Sequence, residues 1–195
     1  MPPKAKVTKA DILQAAADIV RLDGVEQLNA RAVAQKLGVS TQPIFSNYAC
    51  MDELLCDVIS YGEKLYYNSY MQPAMLGDKY PKYKASGMSY IEFAKREKEL
   101  FKLLYMRDRT KEKPPADWGD FSGIIDIVQK NVGIDRDRAE FFHLEMWTFV
   151  HGIAVMMATS YLELDMDTVS GMISDVYQGL VWKFAGKDIT KEVLR

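Results

Sequence analysis

The sequence predicts an all-α protein of about nine helices, and three observations carry that prediction. Apolar residues recur at helical spacing along most of the chain, as in Ile12, Ala15, Ala16, Ile19 and Val20. No segment shows the period-two alternation of a half-buried strand. Gly, Pro, Asn and Ser fall where helices would begin or end. The 195 residues, 48% hydrophobic and 27% charged, are enough for a sizeable core in one or two domains.

The first helix opens after Thr8, with Asp11 three residues on in a capping-box arrangement, and closes at Gly24. Asn29 is the expected N-cap of a second helix over about 30–37, burying Ala30, Val33, Ala34 and Leu37. Gly38 sits where the chain must reverse, because a residue without Cβ reaches positive φ at little cost. Ser40 then stands at the expected N-cap position of a third helix over about 41–48, with Ile44 and Tyr48 facing inward. Pro43 falls in its first turn, where a missing N–H costs no intrahelical bond. Helix, short Gly-containing turn, helix is the helix-turn-helix arrangement, whose second helix can enter a DNA major groove.

A fourth helix carries Leu54, Leu55, Val58, Ile59 and Leu65 and is expected to end before Pro73. Pro73, Gly77, Pro81 and Gly87 mark residues 73–88 as a loop with a broken helix. Residues 89–108 read as one helix, and Pro114-Pro115 places a connector after it. A short helix over 120–131 closes at Asn131-Val132-Gly133, and two long helices follow, about 136–162 and 167–184. The expected domains are 1–49, a three-helix helix-turn-helix DNA-binding domain, and 50–195, a helical effector-binding and dimerisation domain.

Charge is uneven. Residues 1–48 hold six Lys/Arg and four Asp/Glu, a balance of +2, so the other 147 residues carry −4 of the net −2. A mildly basic N-terminal unit on an acidic body fits DNA binding. No apolar run approaches the roughly 20 residues of a membrane span. MPPKAKVTKAD has basic residues but no apolar core, so no secretory signal is expected and a cytoplasmic location is. Cys50 and Cys56 match no zinc or redox spacing. His143 and His151, eight residues apart, are about 12 Å apart along a helix axis, too far to share one metal. No carboxylate pair, nucleophile–base constellation or glycine-rich phosphate loop is visible, so neither cofactor nor catalytic residue is expected.

The stretch Leu28-Asn29-x-Arg31-x-Val33-Ala34-x-x-Leu37-Gly38-Val39-Ser40, a short aromatic-containing helix after it, and Asp52-Glu53-Leu54-Leu55 opening a longer helix together resemble the DNA-binding domain of TetR-type transcriptional regulators. The match covers about residues 8–60. Trp147-x-x-x-His151-Gly152 resembles the ligand-binding half of a subgroup with a Trp-His-Gly signature. The resemblance implies a two-fold dimer that represses transcription until a small molecule binds its C-terminal domain. It places Asn29 and Arg31 at a DNA phosphate or base, and Thr41, Gln42, Pro43, Phe45, Ser46 and Asn47 on the outward face of the recognition helix. Gln42 and Asn47 carry amides that can pair with adenine, while Pro43 and Phe45 can touch thymine methyls. Lys4, Lys6 and Lys9 would attract phosphates. Phe45 stands where the family often has Tyr, and Cys50-Met51 where it often has Ser-Lys. Up to two phosphate contacts are thereby lost, which implies a shallow salt dependence.

The rest of the chain is rich in Met and aromatic residues, which fit irregular cavities. Tyr66, Phe93, Tyr105, Trp118, Phe142, Trp147 and His151 are the candidates to line a site for an apolar or aromatic effector, with core packing as the plainer role for each. Trp147 and His151, four apart, share one helix face. The last two helices offer more apolar surface than one face needs, in Phe149, Val150, Ile153, Ala154 and Met157 and in Val169, Met172, Ile173, Val176, Tyr177 and Leu180. Small residues there, Gly152, Ala154, Ala158 and Gly171, permit close approach, which points to a homodimer bound to a palindromic double-stranded operator. Control by a protein partner instead of a small molecule, or an all-α enzyme, are the other readings.

Overall fold

The computed structural model describes residues 7–110 and 122–186, and all regular structure in them is helical. In order, α1 is Lys9–Asp23, α2 Ala30–Leu37, α3 Gln42–Asn47, α4 Met51–Tyr66, α5 Gln72–Leu76, α6 Lys82–Arg96, α7 Lys98–Tyr105, α8 Ser122–Val132, α9 Arg136–Ala158 and α10 Met166–Phe184. Two compact units emerge. Residues 7–68 with Arg96–Arg107 form one, and Ser69–Lys95 with 108–110 and 122–186 form the other.

In the first unit α1 packs against α2, α3, α4 and α7. Its start is a complete capping box: Asp11 N–H donates to Thr8 Oγ1 at 3.1 Å, and Thr8 N–H donates to the Asp11 carboxylate at 2.9 Å. The expected stripe of Ile12, Ala15, Ala16, Ile19 and Val20 is buried, together with Val33, Ala34, Ile44, Tyr48, Leu54 and Val58. Leu100, Phe101, Leu103 and Leu104 of α7 complete this core. Gly62 of α4 faces α7 so closely that a Cβ there would lie 3.3 Å from Leu104 Cδ1.

In the second unit α9 packs against α8 and α10, and α6 meets α9 and α10 through its side chains. Asp135 caps α9 by accepting from Arg138 N–H, and Asp165 caps α10 by accepting from the N–H groups of Asp167 and Thr168. Among the described residues, α9 is long and apolar enough to cross a membrane by length and composition, unlike the reading that no apolar run comes near that. Ala139, Phe142, Met146, Val150, Ile153, Ala154, Met157 and Ala158 are buried within the unit, which accounts for its composition.

Three helix boundaries differ from those expected. The fourth helix does not stop before Pro73: α4 runs into a π-helical turn, Tyr67–Met71, and then α5, where Pro73 occupies the first turn and loses no bond. Residues 82–88 are helix, not loop. Pro81 supplies the carbonyl that accepts Ala85 N–H at 2.8 Å, and Gly87 is a packing residue, 3.4 Å from Val150 Cγ2 at its would-be Cβ. The helix expected over 89–108 is broken at Glu97 (φ −117°, ψ 53°), whose carboxylate is bound by Arg21.

Candidate nucleic-acid interface

The segment Asn29–Tyr48 builds the turn that the sequence implies. Asn29, extended at φ −148°, caps α2 by accepting Ala32 N–H at 3.0 Å. Gly38 is left-handed (φ 66°, ψ 34°), and Val39 N–H closes the turn onto Ala34 O at 3.0 Å. Ile44 and Tyr48 point into the core, and this sets which residues of α3 face out. Gln42, Phe45 and Ser46 are exposed, whereas Thr41, Pro43 and Asn47 are half-buried. Phe45 is 52% exposed, a large apolar side chain on a small polar helix. Two of the outward polar groups are turned back on the backbone: Ser46 Oγ donates to Gln42 O at 2.9 Å and Asn47 Nδ2 to Pro43 O at 2.8 Å. No residue of α3 carries a charge.

The cations around this face are placed unequally. Arg31 is exposed on the first turn of α2. Lys36 lies 3.8 Å from Asp18. Lys9, though exposed, is engaged by α4: its Nζ is 3.2 Å from Asp57 and 3.5 Å from Glu53, and sits 4.5 Å from the centre of the Tyr48 ring. The Asp57 hydrogen bond, the largest cause, and Glu53 both raise the Lys9 pKa. Tyr48 O–H donates to Asp57 at 3.1 Å, and burial with that carboxylate holds its ionisation far above the ordinary range. Lys4 and Lys6 lie outside the described residues.

Cys50 makes no cap bond at the start of α4. Glu53 instead accepts the N–H of Ala49, the residue before the N-cap, at 2.8 Å.

In the second unit Trp147 and His151 stack, with ring centres 5.1 Å apart at 15°. His151 Nδ1 lies 3.0 Å from the Tyr90 hydroxyl, and His143 Nδ1 lies 3.0 Å from that of Tyr83. Burial lowers the His151 pKa and pushes that of His143 down to about 4, so both favour the neutral imidazole. Tyr83 and Tyr90 were absent from the expected site. Their seven-residue spacing on one helix, against eight between the histidines on another, is the signal that pairs them. Phe142 is fully buried among Tyr83, Tyr177 and Phe184, and Phe93 is fully buried with Tyr70 edge-on at 5.3 Å. Tyr66 and Tyr105 belong to the first unit, Tyr105 packing on Phe101 at 5.0 Å. Trp118 lies outside the described residues.

No protein-family model and no curated protein matches the sequence. Solved structures do match it. A TetR-like transcriptional regulator from Rhodococcus sp. RHA1 superposes with a TM-score of 0.65 at 16% identity, over 91% of this chain and 96% of that one. A protein of unknown function from Rhodococcus sp. RHA1 superposes with a TM-score of 0.71 at 22% identity, over 93% and 99%. At these identities the likeness establishes architecture: this chain has the all-helical fold of a TetR-like regulator.

Proposed function

We propose that this protein is a DNA-binding transcriptional regulator of the TetR type, a homodimeric repressor released from its operator by a small apolar or aromatic molecule. The observation that carries the reading is the α2–turn–α3 geometry: a left-handed Gly38 between two short helices, with Ile44 and Tyr48 anchoring α3 so that Gln42, Pro43 and Phe45 look outward. The division of labour follows residues 1–49 and 50–195. Asn29 and Arg31 on α2 serve the phosphate backbone, and α3 serves the groove. Lys4 and Lys6 add phosphate attraction, whereas Lys9 must first leave Glu53 and Asp57.

The effector site is proposed around Trp147, His151 and Tyr90, where a flat stacked surface adjoins a hydroxyl–imidazole pair. Phe93 and Phe142 are fully buried and serve the core of the same unit. Dimerisation through α9 and α10 is supported by Gly171 and Gly179, around which a Cβ would meet nothing within 4 Å. A ligand that binds one helix arrangement better than another shifts the population toward it, and residues 49–70 link the two functions. The test is a gel shift of the full-length protein on DNA upstream of its own gene. A discrete, competitor-resistant complex is expected. Equal binding to unrelated DNA, or none, overturns the reading.

A further inference from the structure

We infer that α3 reads A·T base pairs, with thymine methyl groups against Pro43 and Phe45 and an adenine edge against Gln42. The inference rests on the DNA-binding reading above and goes beyond it by naming what the helix recognises.

The commonest specific contact in a major groove is Arg or Lys to O6 and N7 of guanine. The helix Gln42–Asn47 contains neither. The described cations of this segment belong to other elements: Arg31 and Lys36 to α2, which in this motif crosses the backbone, and Lys9 to α1, where Glu53, Asp57 and the Tyr48 ring hold it. Two polar groups of α3 are already engaged, because the Asn47 amide donates to Pro43 O and the Ser46 hydroxyl to Gln42 O. That leaves Gln42 as the long exposed amide, whose donor–acceptor pair matches N7 and the N6 amino group of adenine. Beside it stand Pro43 and the half-exposed Phe45, apolar surfaces that only the thymine methyl can complement in the groove. An exposed phenylalanine on a six-residue helix is costly in water and gains from that contact.

The experiment is selection of bound duplexes by the full chain from a random pool. The selected duplexes are then resynthesised with uracil for each thymine, or with 7-deazaadenine for each adenine. Uracil lacks only the methyl group that projects into the major groove. The expected motif has A·T pairs in the part of each half-site that α3 covers. Uracil there weakens binding about fivefold or more, as does 7-deazaadenine. Phe45→Leu keeps the uracil penalty and Phe45→Ala reduces it, leaving only the share owed to Pro43. Gln42→Ala abolishes the 7-deazaadenine penalty. Both residues are exposed, and unchanged thermal melting shows that the variants fold. A motif with G·C pairs at those positions, or uracil duplexes bound as tightly as thymine ones, overturns the inference alone. No enrichment at all overturns the DNA-binding reading, and the inference with it.

Discussion

Arg21 of α1 binds Glu97 in two parallel hydrogen bonds, Nε to Oε2 at 2.8 Å and Nη2 to Oε1 at 2.5 Å, across 76 residues of sequence. Glu97 is 11% exposed in its side chain and raises the Arg21 pKa further above its usual value. The pair holds α7 in the first unit at the point where the helix expected over 89–108 is interrupted.

Removing one partner leaves a poorly solvated charge. Glu97→Leu or Arg21→Met is expected to destabilise the protein by about 1–3 kcal/mol, less than for a fully buried pair because Arg21 is partly exposed. The double variant should recover much of that loss. A double-mutant cycle by urea denaturation measures it, and additive single effects would show that the pair contributes no coupling.

Stability should also fall in acid through His143. Its pKa is about 4 in the folded protein and near 6.5 when unfolded, so the unfolded chain binds the proton more tightly. The stability present above pH 6.5 is therefore lost as pH falls toward 4. The loss due to this group is about 2 kcal/mol after allowance for its partial exposure. His143→Gln should flatten the stability curve between pH 6.5 and 4. An unchanged slope would place the acid sensitivity elsewhere.

DNA binding should have a shallow salt slope. Phe45, Cys50 and Met51 stand where the TetR-type regulators that this segment resembles often carry Tyr, Ser and Lys, and Lys9 is held by two carboxylates. Met51→Lys is expected to steepen the plot of log K against log salt by about one unit. Cys50→Ser should raise stability by about 0.5–1 kcal/mol, since Cys50 is the extended N-cap of α4 and makes no side-chain cap bond. Anisotropy titrations at four salt concentrations and thermal melts read the two effects separately.

The dimer face can be tested without disturbing the subunit. A side chain at Gly171 or Gly179 enters open space, so Gly171→Trp and Gly179→Trp should leave the helical content unchanged. Light scattering at micromolar concentration should then report a dimer for the parent and a monomer for the double variant. A dimer that survives both substitutions would move the interface off this part of α10.

Local chemistry made much of this molecule legible beforehand. Thr8 with Asp11, Asn29, Gly38 and Pro43 act within a few residues of themselves, and each does what its side chain or backbone favours. The inward pair Ile44 and Tyr48 likewise follows from helical spacing. Gly87 and Pro73 were misleading because the same residues that break helices also occupy first turns and close helix contacts. For Gly87 the role is set by Val150 and Ile173, far away in sequence.

The amino-acid sequence alone determined the all-helical class, the helix-turn-helix and the outward face of α3, since these rest on periodicity, capping and one left-handed glycine. Tertiary structure decided the break at Glu97, the capture of Lys9 by Glu53 and Asp57, and the pairing of Tyr83 and Tyr90 with His143 and His151. Each of these joins groups on different helices. Coulombic attraction and hydrogen bonding act over a few ångströms of space, and only the packed chain sets which distant residues come that close.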